Sequence, residues 1–112
     1  MSRHDDTIAL RNMLDHTEEA IALAAGRSPS DLESDRTFYL ALLKLVEIVG
    51  EAATRVPDAT QNEYPDIPWR LIIGTRNRLI HGYDAVDRDI LWTIVTEDFP
   101  SLLPSLKRIV GP

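Results

Sequence analysis

Between its prolines and glycines this chain repeats apolar residues at three- and four-residue intervals. That is the period of a helix with one buried face, and nowhere does the chain sustain the alternation of a half-buried strand. Residues 5–25 open with Asp5 and Asp6, acids suited to a helix N-terminus, and carry Ile8, Leu10, Met13, Leu14, Ile21 and Leu23 before Gly26. Ser30-x-x-Glu33, after Ser28-Pro29, reads as a capping box for a second helix over about 34–55. Phe38, Leu42, Leu45, Val46, Val49, Ala52 and Ala53 form its apolar face, and Lys44, Glu47, Glu51 and Arg55 a polar stripe. Pro57, Pro65 and Pro68 mark a connection with one helical turn near 58–63. Asp66 and Pro68 suit the start of a third helix through Trp69, Leu71, Ile72, Ile73, Leu79 and Ile80, with Gly82 as its stop. Asp87 caps a fourth helix bearing Ile90, Leu91, Ile94 and Val95. Pro100 and Pro104 are expected to break or kink the run before a last piece ending near Ile109. With no Asn-Gly or Asp-Gly turn and no internal repeat, the expectation is an all-α fold, an antiparallel bundle of four to five helices. At 112 residues, 1–112 reads as one domain.

Composition narrows the function classes. The chain has no cysteine, which excludes disulfides, thiol catalysis and cysteine-ligated metal. No segment approaches the roughly 20 apolar residues of a membrane span. The opening MSRHDDT lacks an apolar core, so no signal peptide is expected and the cytoplasm is the expected location. A formal charge of -6 opposes a protein that merely coats nucleic acid. The charge is uneven, however. Residues 31–66 hold eight acids and three bases, whereas 70–88 hold Arg70, Arg76, Arg78 and Arg88 against Asp84 and Asp87.

The stretch from Trp69 to Trp92 carries most of the chemistry. His81 is the one histidine outside the N-terminal helix, and imidazole is the side chain best poised for acid–base work near neutral pH. On a regular helix Asn77 and His81, four residues apart, lie about 40° from each other and share a face. Arg76, five residues before His81, points about 140° away. Fraying near Gly82, or a second copy of the segment apposed in a dimer, would bring the two together. Arginine stabilises charge growing on a phosphorane oxygen, and histidine exchanges a proton with a ribose 2′-hydroxyl or a leaving oxygen. Asparagine holds either by hydrogen bonds. The set therefore suits RNA cleavage through the 2′-hydroxyl without metal, and no carboxylate constellation is clearly arranged for magnesium. It also suits a plain helix end, with Asn77 and His81 as caps and the arginines solvated.

Arg76-x4-His81-x-Tyr83, with Asn77 after the arginine, resembles the signature of HepT-like ribonucleases of the HEPN superfamily (higher eukaryotes and prokaryotes nucleotide-binding domains). The likeness extends to Gly50-Glu51-Ala52, to Pro65-Asp66-Ile67-Pro68-Trp69 before the motif, and to Asp87-x-x-Ile90-Leu91-Trp92 after it. The resemblance implies an all-α, HEPN-like homodimer whose two motifs face one cleft. It further implies a toxin that cuts mRNA or tRNA with Arg76, His81 and Asn77 and needs no cofactor. The implied antitoxin is a minimal nucleotidyltransferase that attaches AMP to the motif tyrosine, here Tyr83. AMP so close to His81 would place bulk and negative charge where an RNA phosphate should lie.

Other residues admit two readings. Arg70, Arg78 and Arg88 suit RNA contacts or a solvated face. Glu47 and Glu51 would orient Arg76 from the neighbouring helix, with Gly50 allowing close approach, or simply extend the polar stripe, where Glu51 and Arg55 are spaced for an ion pair. His16-x-x-Glu19 is spaced for metal but reads better as a surface pair. Trp69 and Trp92 would stack on bases or, more simply, join the core. The rival function is a binding module that holds a nucleotide or a partner without cleaving RNA.

Overall fold

The computed structural model describes residues 3–81 and 85–111, with side-chain surroundings from residue 6 onward and without that of His81. Helix α1 (Arg3–Ala24) ends where Gly26 takes φ +76, a conformation glycine adopts without steric penalty. A single turn, α2 (Asp31–Ser34), precedes the long α3 (Arg36–Thr54), and α4 (Asp58–Glu63) follows Pro57. The motif segment comprises α5 (Trp69–Ile73), α6 (Thr75–Leu79) and a strand β1 (Ile80–His81) paired antiparallel with β2 (Ala85–Val86). Helix α7 (Arg88–Thr93), a π-helical turn (Ile94–Asp98) and α8 (Phe99–Val110) complete the chain. The architecture is an all-α bundle with one two-residue ladder as its only sheet among the described residues.

Helix α1 packs most extensively on α3, and next on α8. Met13, Leu42, Val46, Val49, Leu91 and Leu106 are sealed from solvent at the centre of one continuous core. The polar stripe of Lys44, Glu47, Glu51 and Arg55 faces water as its spacing implies. Trp69 is a core residue whose indole N–H reaches the Gln61 and Tyr64 carbonyls, each at 3.1 Å, while Trp92 is half-buried against the core.

Several local expectations are corrected. The Ser30–Glu33 capping box does not form: Ser30 is itself helical (φ -65, ψ -22) and its side chain caps nothing. Arg27 instead gathers two carboxylates, donating to Asp31 at 3.2 Å and Asp35 at 2.8 Å, and stacks on the Phe38 ring at 4.1 Å. Asp35, extended at φ -122, caps α3 by accepting from the Phe38 N–H at 3.1 Å, so that helix begins at Arg36. Asp66 likewise caps no helix; it accepts from Ser105 at 3.0 Å and pairs with Arg108 on α8.

Pro100 and Pro104 do not break the last helix. The π turn directly before α8 closes with the Phe99 N–H on the Ile94 carbonyl, five residues back, and this wider turn delivers Pro100 to the first turn of α8, where a proline is tolerated. Pro104 then sits inside α8, between the buried Leu102 and Leu106.

The third helix is not continuous to Ile80. Gly74 (φ -80, ψ 4) interrupts it, and the Thr75 hydroxyl bonds back to the Leu71 carbonyl at 3.2 Å, a contact that bends helices. Ile80 then turns extended (φ -98, ψ 118) to pair with Val86, and the Asp87 N–H closes the corner on the Leu79 carbonyl at 2.7 Å. A short hairpin exists where no turn dipeptide announces one, and the expected stop at Gly82 lies outside the described residues. Asp87 does cap the following helix, accepting from the Ile90 N–H at 3.0 Å.

The Arg27 corner makes a pH dependence. The Arg27 guanidinium holds the Asp35 carboxyl below its ordinary value, and the Ser28 backbone N–H, followed by Arg27, does the same for Asp31. A carboxyl whose folded pKa is lowered adds stability above its unfolded pKa, about 3.9, and that stability is lost as pH falls through the folded value. Chemical denaturation of the intact chain should therefore lose stability on acidification below about pH 4. Arg27→Ala should flatten that acid limb without removing it, since the Ser28 N–H remains. An unchanged limb in Arg27→Ala would contradict the assignment.

Candidate active site

Helix α6 is short, running from Thr75 to Leu79. Thr75 and Leu79 are buried, while Arg76 and Asn77 are exposed. Arg76 lines a groove of about 160 Å³ between α3 and the α5–α6 segment, together with Glu47, Gly50 and Glu51. Gly50 sets the separation of these walls. A Cβ there would lie 3.3 Å from the Ile72 carbonyl oxygen and 3.8 Å from the Thr75 Cβ, so a side chain would force α3 and α5 apart. Among the described residues Arg76 forms no ion pair, although both glutamates share its groove. Glu51 makes a loose 4.0 Å pair with Arg55 on the exposed face of α3.

His81 is not on the helix that bears Arg76. The chain leaves α6 at Leu79, and the His81 backbone pairs with Ala85. The shared face of Asn77 and His81 and the 140° angle from Arg76 both assumed one unbroken helix, so neither holds. Unwinding occurs before His81, earlier than a frayed Gly82 would place it. The His81 side chain and Tyr83 lie outside the described residues.

The other arginines differ in their engagements. Arg70 is exposed. Arg78 is held by Asp98 on the π turn at 3.0 Å, in a pair that is 30% and 27% exposed. Arg88 lies over the Tyr39 ring at 4.3 Å and donates to the Leu32 carbonyl at 3.4 Å, tying α7 to α2 and α3. Neither Asp98 nor Tyr39 stands out in the sequence, because each meets its arginine only through the fold. His16 bonds to the Asn12 carbonyl at 2.7 Å, and among the described residues no three His, Asp or Glu side chains converge on a common point suited to a metal ion. No helix among them is long and apolar enough to cross a membrane.

The profile of the family described as Ribonuclease HepT-like matches residues 8–109. The chain belongs to the HepT-like ribonuclease family. Its relatives agree. "Probable ribonuclease HepT" of Thermococcus cleftensis is 37% identical over 70% of this chain and 72% of its own length. "Putative RNase TTE0752" of Caldanaerobacter subterraneus subsp. tengcongensis is 31% identical over 90% of each chain. "Putative RNase MJ1380" of Methanocaldococcus jannaschii is 29% identical over 91% of this chain and 94% of that protein. No solved structure matches the chain. The matched span, residues 8–109, takes in α3 and the Arg76–Tyr83 segment. The all-α bundle is in keeping with the HEPN superfamily.

Proposed function

We propose that this HepT-like chain is a metal-independent endoribonuclease. The observation that supports this best is an exposed arginine without an ion pair among the described residues, set in a groove by the close approach at Gly50, five residues before a histidine that stands past the helix end. In the proposed reaction the ribose 2′-oxygen attacks the adjacent phosphorus while a base removes its proton. The bond from phosphorus to the 5′-oxygen breaks, and an acid returns a proton to that oxygen. The products are a 2′,3′-cyclic phosphate and a 5′-hydroxyl. His81 exchanges the proton, Arg76 stabilises the charge that grows on the phosphorus oxygens, and Asn77 holds either the phosphate or the imidazole.

The same reading has two copies meet across the motif segment, which would double Arg70 and Arg76 against an acidic surface. Leu71, Ile73 and Ile80 supply apolar area for such a contact, at 39%, 37% and 39% exposure. It also has the chain act as the toxin of a toxin–antitoxin pair, silenced by a nucleotidyltransferase that adds AMP to Tyr83. One experiment covers these points. The purified chain, alone and after co-expression with the nucleotidyltransferase encoded beside it, is incubated with RNA in EDTA. Chain alone should elute at twice its mass and leave 2′,3′-cyclic phosphate ends. Co-expressed chain should gain the mass of AMP on the Tyr83 peptide and leave RNA intact. Nucleotide binding without cut ends would favour a binding module instead, and cleavage that EDTA abolishes would refute metal independence.

A further inference from the structure

Across α6 from Arg76 lies a second groove, of about 260 Å³, bounded by α5–α6 on one side and by the π turn and α8 on the other. Ile72, Ile94, Phe99 and Leu102 line it and are all buried, so its interior is apolar. The Arg78–Asp98 pair also lines it, with Arg78 Nη1 at 3.0 Å from Asp98 Oδ2, and both side chains remain partly open to solvent. Asp98 is the last residue of the π turn, a rare helix variant that occurs frequently at functional sites.

An apolar slot with a fixed donor–acceptor edge is the arrangement that recognises a planar heterocycle. Its volume falls below the roughly 300 Å³ at which pockets for drug-sized ligands begin, which suits a single ring system. The edge selects among bases. A carboxylate offers about four lone-pair sites, so Asp98 can accept two adjacent N–H groups while still paired with Arg78. Guanine is the RNA base with two adjacent donors, N1–H and the N2 amino group, and beside them stands its O6 acceptor. Asp98 would take the two donors, and a remaining N–H of Arg78 would give to O6. Adenine and cytosine have one donor group beside an acceptor, and uracil has one N–H between two carbonyls. Each would set an acceptor against the carboxylate.

We infer that this groove binds a guanine base, and that it reads a guanosine near the bond cut at Arg76 and His81. The RNA substrate rests on the ribonuclease reading above; the guanine site itself does not. Arg78 thereby acquires a contact to a base rather than to a phosphate.

The test uses the full chain and four probes, 5′-GMP, 5′-AMP, 5′-CMP and 5′-UMP, followed by amide NMR. GMP should move the amides of Leu71, Arg78 and Asp98 and bind about tenfold more tightly than each of the others, the range expected for a bidentate pair. Asp98→Asn should abolish that preference. Ser101→Trp, at an exposed rim position of the groove, should block GMP while leaving the Arg78–Asp98 pair and the amide dispersion intact. Equal affinity for the four probes, shifts confined to the Arg76 groove, or undiminished GMP binding by Ser101→Trp would overturn the assignment. If GMP binds here but RNA is not cut, the groove stands and the nuclease reading falls; if RNA is cut and GMP does not bind, the reverse holds.

Discussion

His81→Ala should cut the rate of RNA cleavage by about 10²–10⁴-fold, the usual contribution of a positioned acid or base, and leave the melting temperature unchanged. The second half of that expectation comes from the fold. His81 contributes its backbone to the two-residue ladder with Ala85, and alanine satisfies the same pairing. The corner is also closed independently, by the Asp87 N–H on the Leu79 carbonyl at 2.7 Å. Arg76→Ala should lose about 10²–10³-fold, as when one donor to a developing oxyanion is removed. Arg76 is exposed and without an ion pair among the described residues, so its truncation strands no buried charge. Arg76→Lys should recover part of the loss, because it restores charge without the planar fork. Single-turnover rates beside thermal melts check all three variants. Full-rate cleavage by folded His81→Ala would remove histidine from the mechanism.

Signals carried within a few residues were legible in the sequence, and contacts made across the fold were not. The spacing of Met13, Leu42 and Val46, the glycine at 26 and the aspartate at 87 each act on their own turn of helix, and each behaves as its position implies. Gly50 was legible as a point of close approach, which is how α3 meets α5. The end of α6 was not legible, because Ile80 leaves the helix to pair with Val86, and a helical pattern does not register a partner beyond the turn. The capping box failed for a related reason: Arg27, on the far side of the turn, draws in Asp31 and Asp35, and the carboxylates take over the role of the Ser30 hydroxyl. Within the candidate site, Arg76 is exposed and lines the groove beside Glu47 and Glu51. Arg78 and Arg88 acquired partners, Asp98 and the Tyr39 ring, that sequence distance conceals.

Met13→Ala should do the opposite of His81→Ala, weakening the fold and sparing the chemistry. Met13 is fully buried on α1, the helix that packs on α3 and α8. Removing its side chain deletes apolar contacts and leaves a cavity that rigid helices close only in part, which costs about 2–5 kcal/mol. A domain of this size is stable by about 5–15 kcal/mol, so the loss is a large share of the total. Urea unfolding should show the midpoint falling with an unchanged slope, the sign of lost stability without a change in the surface exposed. At a temperature where both proteins are folded, the cleavage rate per folded molecule should match the unsubstituted chain, because Met13 lines neither the Arg76 groove nor the Arg78–Asp98 groove. A cleavage rate that fell in step with stability in Met13→Ala and also in His81→Ala would mean that both variants report only on folding. Stability lost in one and rate lost in the other would separate the core around α1 and α3 from the residues proposed to act on RNA.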